Sequence, residues 1–197
     1  MSDPPSQPPL PTGTPDFGDH EIEDIELMQR LAQGDETALR LLIDRWKSPL
    51  INFFYRSLRS HESAEDLAQV VFVRIYRAAP KYQPTAKFST YLFHIARRLL
   101  INEFRRQQRK PLEAVDPADL VAVDSEDPGR QVREIEEAFE IALEGLPENQ
   151  RTAILLLKQQ QLSYQEIAAI MDASESAVKT WIFRARQFLK QALKDLV

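Results

Sequence analysis

The sequence predicts an all-α protein of two small helical domains joined by a flexible acidic linker, and three observations predict it. Apolar residues recur at the three-to-four-residue spacing of amphipathic helices on both sides of residues 111–130. No stretch alternates with period two for long enough to form a strand. Residues 111–130 themselves gather Pro111, Pro117, Pro128 and Gly129 among acids, a composition that ends helices. Charge is also segregated. There are six bases against one acid from Arg97 to Lys110, twelve acids against two bases from Glu113 to Glu148, and five bases with no acid from Lys179 to Lys194. The net charge of −5 averages this pattern away, and taken whole it would argue against a nucleic-acid binder.

Residues 1–20 are rich in Pro, Ser, Thr and Asp with almost no large apolar side chain, the composition of a disordered tail. A first domain over 21–110 opens with helical spacing from Ile22 to Leu58, broken at Gly34-Asp35. A helix from about Ser63 to Ala79 stops near Pro80. The segment PKYQPTAKF, 80–88, holds two prolines and is expected to be a loop, followed by a longer helix from Thr90 to about Arg109. As a flexible coil of ~20 residues the linker, 111–131, would span about 25 Å, so the two domains need not touch. In the second domain, 132–197, helical patterning resumes at Val132, breaks at Gly145-Leu146-Pro147 and continues in three further pieces.

Composition narrows the function classes. Apolar residues at 43% and charged residues at 28% are ordinary for globular domains, each with a modest core. The absence of Cys excludes disulfides, thiolate metal sites and Cys nucleophiles, and fits a reducing cytoplasm. Apolar runs such as AILLL, 153–157, fall far short of the ~20 residues that span a bilayer. The N-terminus lacks the basic start and apolar core of a secretory signal, so a cytoplasmic location without membrane insertion is expected.

The strongest local signal is LSYQEIAAIMDASESAVKTWIFRARQFLKQAL, 162–193. Ser163 and Glu166 have the spacing of a capping box that starts a helix carrying Ile167, Ala168 and Ile170. Asp172-Ala173-Ser174 gives a short turn, and Ser174 can cap the next helix. On that helix Val178, Trp181, Ile182, Ala185, Phe188 and Leu189 share one face. Lys179, Thr180, Phe183, Arg184 and Gln187 share the other, with Arg186 at its flank. A cationic face carrying one large apolar residue suits the DNA major groove, where Lys and Arg meet guanine edges or phosphates and an apolar group meets a thymine methyl. The competing interpretation is a solvated amphipathic helix with a basic side.

In TYLFHIARRLLINEFRRQQRK, 90–110, Leu92, Ala96, Leu99 and Leu100 form an apolar arc. Tyr91, His94, Arg98, Asn102 and Arg105 line the other side, and the preceding loop adds Lys81, Tyr82, Lys87 and Phe88. Aromatic and cationic groups on one surface suit single-stranded or melted DNA, though a plain solvated basic face has the same composition. The helix before it, AEDLAQVVFVRIYRA at 64–78, stacks Ala64, Leu67, Ala68, Val71, Phe72 and Ile75 toward a core. Its outer side mixes Asp66, Gln69, Val70, Val73, Tyr76 and Arg77, which suits a protein partner unless the N-terminal helix covers the two valines.

These three elements, in this order, resemble the extracytoplasmic-function (ECF) family of RNA polymerase sigma factors over roughly 25–110 and 132–194. AEDLAQVVFVRIYRA is similar to the family's DLxQxxFxxxxRA helix, and FSTYLFHIARRLLINEFRR to its FxTWLxxIAxNxxxDxxRR helix. LPENQRTAILLLKQQQLSYQEIAAIMDASESAVKTWIFRARQFL resembles the −35 reader from its opening LPxxxR to its closing RAR.

The resemblance implies a sigma2-like bundle over 21–110 and a sigma4-like helix-turn-helix over 132–197. It implies that Asp66 and Gln69, with Val70, Val73, Tyr76 and Arg77 beside them, dock on core RNA polymerase through its β and β′ subunits. The 80–88 loop and Asn102 would contact the −10 strand, together with Tyr91, His94, Arg98 and Arg105. Ser176, Lys179, Thr180, Phe183, Arg184 and Arg186 would read the −35 duplex. The acidic linker would thread the polymerase's RNA exit path. The implied function is promoter recognition, melting and transcription initiation in a stress or envelope response. The implied partners are polymerase, promoter DNA and an anti-sigma factor of the kind that can be membrane-anchored. Tyr91 stands where the family prefers Trp, Arg98 where it often has Asn, Ser176-Ala177 where Gly-Thr is common, and Trp181 where Arg is frequent. Helical phase turns Trp181 toward the core, exchanging a phosphate contact for packing.

Three widely separated His (20, 61, 94) have no metal-ligand spacing, and Asp24, Glu26, Glu65 and Asp66 have no catalytic context. There is no P-loop and no GxGxxG. A non-enzymatic subunit without metal or cofactor is therefore expected, melting DNA by binding the open strand better than the duplex. Two other classes stay open at this point. One is a stand-alone helix-turn-helix regulator binding two-fold-related half-sites, the other a sigma mimic that sequesters an anti-sigma factor.

Overall fold

Local capping chemistry sets most of the element boundaries. The computed structural model describes residues 19–109 and 130–194, so most of the expected tail and linker lies outside the described residues. Helix α1 (Asp19–Ala32) ends where Gly34 takes φ +92, a conformation that favours glycine. Asp35 then caps α2 (Glu36–Leu58) by accepting the Thr37 amide, and Arg30 reaches back to the same carboxylate at 2.7 Å. Arg59, left-handed at φ 57, closes α2 by donating its amide to the Tyr55 carbonyl. The αL cap falls on arginine rather than glycine. Ser60 caps α3 (His61–Ala78), two residues earlier than the sequence spacing suggests.

Pro80 sits in a single 3₁₀ turn, Ala79–Lys81, inside what was expected to be an irregular loop. Helix α4 (Phe88–Arg109) also starts two residues before the expected Thr90, because Phe88 is fully buried and the Lys87 carbonyl already accepts the Tyr91 amide. The second half holds α5 (Arg130–Glu144), α6 (Glu148–Gln159), α7 (Tyr164–Met171) and α8 (Glu175–Ala192).

Helices α1–α4 enclose one core, built around Phe53, Phe54, Phe88, Phe93, Leu42 and Leu92, none of them exposed. Phe53 meets Phe93 edge-on at 5.5 Å, and Trp46 meets Phe88 at 6.0 Å. Each such side chain contributes about 1.5–3 kcal/mol relative to exposure, which is why the apolar pattern dominates the fold. Helix α1 is fastened by a polar group. The Asp24 carboxylate, fully buried, accepts from Arg45 at 2.6 Å and from the Trp46 indole at 3.0 Å. In the second half α8 packs on α5, α6 and α7 through Val178, Ile182, Ala185 and Leu189. Phe188, expected on that buried face, is 43% exposed instead. Its ring lies over the α5–α6 corner, where a Cβ on Gly145 would stand 2.8 Å from Phe188 Cζ.

The two halves touch, although a linker of that length did not require it. Helix α7 lies on α4, and α5 and α6 lie on α2.

Candidate nucleic-acid and protein interfaces

The expected −35 reader is built as a helix-turn-helix. The Ser163 hydroxyl accepts the Glu166 amide, and the Glu166 carboxylate accepts the Ser163 amide at 2.7 Å, a reciprocal box that starts α7. Asp172 ends α7 in the left-handed region at φ 49, and Ser174 caps α8 by accepting the Ala177 amide. Val178, Ile182, Ala185 and Leu189 are turned inward, so the opposite face is forced outward. Ser176, Lys179, Thr180, Phe183, Arg184 and Arg186 are all exposed, Phe183 at 62%. Thr180 donates its hydroxyl proton to the Ser176 carbonyl at 2.9 Å and retains acceptor lone pairs. Lys179 bridges Glu175 at 2.7 Å and sits 5.9 Å from the centre of the Tyr164 ring. Trp181 is half-buried against the core, as its helical phase implies.

The expected −10 surface is divided. Asn102 and Arg105 are open and line a shallow recess with Arg106 and Arg109, a concentration of guanidinium groups at the end of α4. Lys81 is exposed and Arg98 half-buried. Phe88, Tyr91 and His94 are buried, and Tyr82 is half-buried with its ring 5.3 Å from that of Tyr91. Burial pushes the Tyr91 phenol above its usual 10.0. Burial also holds the His94 imidazole below 6.5. The Asp172 carboxylate opposes this shift, and Arg98 and Arg97 add to it. Helix α7 supplies the acids that face this half. Lys87 binds Glu166 at 2.9 Å, while Asp172 lies 3.6 Å from His94 Nε2 and 3.5 Å from Arg97. Burial alone would raise the Glu166 carboxyl, but Ser163 and Lys87 hold it below its ordinary value.

The third surface is α3. Asp66, Gln69, Val70, Val73, Tyr76 and Arg77 are exposed, Val73 at 47% and Tyr76 at 50%. Helix α1 does not cover the valines. Val73 and Tyr76 instead border a groove whose other wall is Leu39, Ile43 and Ile51 of α2. Those α2 residues were not singled out from sequence. Their spacing matched any core helix, and only the placement of α2 beside α3 makes them one wall of a groove. Four residues join the halves in a way the sequence reading did not foresee: Arg56, Arg59, Glu140 and Arg151. Arg151 closes the LPxxxR motif, but nothing local marks any of the four as a contact between halves, since the partners lie far apart in the chain. Among the described residues no helix is long and apolar enough to cross a membrane.

Comparison with known proteins accounts for both halves. The family models that match are Sigma-70 region 2 over residues 42–110 and Sigma-70 region 4 over residues 136–189. The chain is 30% identical to the RNA polymerase sigma-H factor of Pseudomonas aeruginosa, covering 89% of this chain and 96% of that one. It is 31% identical to the ECF RNA polymerase sigma-E factor of Escherichia coli, covering 90% and 97%. Among solved structures it resembles the sigma factor RpoE of Bartonella quintana in complex with the anti-sigma factor NepR, at 25% identity. The TM-score there is 0.61, with 79% of this chain and 96% of that chain covered. The fold also matches that of CnrH, solved in complex with the cytosolic domain of CnrY, at 23% identity and TM-score 0.66, with 88% and 98% covered. The exposed helix-turn-helix face, the cationic end of α4 and the groove beside α3 thus sit on a chain that belongs to the extracytoplasmic-function family of RNA polymerase sigma factors, alternative sigma factors that direct transcription initiation.

Proposed function

We propose that this chain divides the work of a sigma factor among the three surfaces described. Helix α3, through Asp66, Gln69, Val70, Val73, Tyr76 and Arg77, grips core polymerase. The 80–88 segment and α4, through Lys81, Tyr82, Lys87, Arg98, Asn102 and Arg105, hold the opened −10 strand, while Phe88, Tyr91 and His94, buried beneath them, act by positioning that surface. Helix α8, through Ser176, Lys179, Thr180, Phe183, Arg184 and Arg186, reads the −35 duplex. The working units are 21–110 and 132–197, with 1–20 a tail and 111–131 a strap threading the polymerase. The observation that carries this assignment is Phe183. A phenyl ring 62% exposed beside Lys179, Thr180 and Arg184 gains nothing from water, and gains contact area against a thymine methyl in a major groove.

The protein contributes no catalytic group of its own. It works in the cytoplasm as a specificity subunit, and strand opening follows from tighter binding of the open state. An anti-sigma factor controls it, as supported by its likeness to a sigma factor solved with NepR.

Capture of core polymerase by the full chain, followed by sequencing of transcripts initiated in vitro from a promoter library, tests the assignment. The expected result is stable association and initiation at promoters sharing two spaced elements. Specific promoter binding by the isolated chain, without polymerase, would instead mark a stand-alone regulator.

A further inference from the structure

We infer that Glu175 and Tyr164 are positioning residues for Lys179, turning a cation that would bind any phosphate into a donor that reads one guanine of the −35 element. The inference rests on the assignment of α8 to the −35 duplex and deepens it by naming what aims one of its side chains.

Glu175 is an acid in the opening turn of a helix that has to enter a groove walled by phosphates. A free carboxylate there would be repelled by the duplex. This one is occupied. Glu175 Oε1 takes the Lys179 ammonium at 2.7 Å, one helical turn further on. Glu placed N-terminal to Lys is the favoured order for such a pair, but on an exposed helix the pair alone holds weakly. A second element adds to it. The half-buried Tyr164 ring, at the start of α7, has its centre 5.9 Å from the same Nζ, within reach of a cation–π attraction. Carboxylate and ring belong to different helices, so both elements of the helix-turn-helix restrain one ammonium. The hydrogen bond to Glu175 also keeps it charged, lifting the Lys179 pKa above 10.5.

The pair changes what Lys179 can do. An ammonium has three N–H donors, and Glu175 takes one of them. The adjacent carboxylate offsets its charge, which weakens its pull on phosphates, an attraction that carries no sequence information. The direction of the remaining donors is kept. Guanine presents two acceptors, O6 and N7, on its major-groove edge, whereas adenine and thymine each present one and cytosine presents only a donor. Thr180 beside it is preset in the complementary sense. Its hydroxyl proton is committed to the Ser176 carbonyl at 2.9 Å, so it meets a base as an acceptor.

A simpler role for Glu175 is to complement the dipole at the first turn of α8. That role predicts lower stability and uniformly weaker binding once the acid is removed. Positioning predicts the opposite sign for affinity, with discrimination falling while attraction to any duplex rises.

Core polymerase carrying the full chain is tested on a promoter library randomised through the −35 element. The same holoenzyme is titrated with duplexes bearing cognate or scrambled −35 elements over a salt series. Lys179→Ala identifies the base pair concerned, as the position whose guanine preference disappears. Expected for Glu175→Ala is a loss of about tenfold in guanine preference at that same pair, with the other positions unchanged. Binding to the scrambled duplex is expected to tighten, with a salt slope steeper by about one, as the released lysine takes a phosphate. Glu175→Gln keeps an acceptor without the charge, so it retains the preference and still shows the steeper slope. Tyr164→Leu keeps bulk but loses the ring, and loses part of the preference with the slope unchanged. Thermal melting of each chain checks that α8 persists.

Guanine preference in Glu175→Ala equal to that of wild type would overturn the inference. So would weakening across all sequences with a lower melting midpoint, or a preference lost in Lys179→Ala for a base other than guanine. Wild-type holoenzyme with no −35 preference at all removes the assignment of α8 itself. A −35 preference that Arg184→Ala reduces and Glu175→Ala leaves intact removes the inference alone.

Discussion

Asp172 and His94 face each other across the two halves of the molecule, a carboxylate oxygen 3.6 Å from an imidazole nitrogen that is otherwise buried. Burial depresses the His94 pKa. Asp172 on α7 opposes that shift, and Arg98 and Arg97 on α4 reinforce it, so the net direction is downward. The closed state therefore prefers neutral imidazole, and protons bind more tightly to the open state, where the ring meets water. Closure is fully favoured above the ordinary value of 6.5 and is lost as pH falls through it toward the lower closed-state value. Acidification below neutrality is expected to separate the halves, read as a rising radius of gyration in small-angle X-ray scattering, and His94→Gln is expected to flatten the step. A more compact molecule at acid pH would mean that the charged His94–Asp172 pair, not the neutral ring, holds the seam.

Arg184→Ala is expected to lower initiation at cognate promoters about tenfold or more while leaving polymerase affinity unchanged. The side chain is exposed on α8 and makes no part of the core, so its loss should not disturb the fold. A bidentate base contact is worth about 1–3 kcal/mol of discrimination, whereas a phosphate contact alone would weaken all sequences alike and reduce the salt slope by about one. Transcription from a promoter library with altered −35 elements distinguishes these results.

The elements were legible in the sequence because each depends on neighbours a few residues away. Ser163 and Glu166 announce α7, Ser174 announces α8, and Gly34-Asp35 announces the α1–α2 break, all through capping that spans one turn. The outward face of α8 was legible for the same reason, since helical phase fixes Phe183 once Val178 and Ile182 are buried. What local pattern cannot carry is the pairing of Glu166 with Lys87, or of Glu140 with Arg56 and Arg59. The acids of α5 read only as the end of the acidic stretch from Glu113 to Glu148, and their partners come from a helix some eighty residues earlier. Tyr91 is buried with the Tyr82 ring against it and His94 with Asp172 of the other half beside it, neighbours that no property of α4 alone could foretell.

Val73→Glu is expected to weaken polymerase binding strongly with little change in stability. Val73 is 47% exposed at the rim of the α2–α3 groove, so the free chain accommodates a charge there. A partner's apolar group seated in the groove would instead have to bury that carboxylate unpaired, at a cost of several kcal/mol. Equilibrium competition against wild type for core polymerase measures the effect. A variant that competes as well as wild type would remove α3 from the polymerase interface.

Asp24→Ala is expected to destabilise the first half by roughly 1.5–3 kcal/mol, the range for hydrogen bonds to a charged group. The sequence offered Asp24 only as an acid without catalytic context. In the structure its carboxylate is fully buried and receives both the Arg45 guanidinium and the Trp46 indole, fastening α1 to α2. Removing it leaves the indole without its acceptor beneath a helix that holds Leu27, Met28 and Leu31 in the core. Thermal melting followed by Trp fluorescence should show a lower midpoint for Asp24→Ala. Asp24→Asn, which keeps an acceptor for Trp46 but loses the ion pair with Arg45, should fall between that variant and wild type. An Asn variant as unstable as the Ala variant would assign the whole effect to the charge.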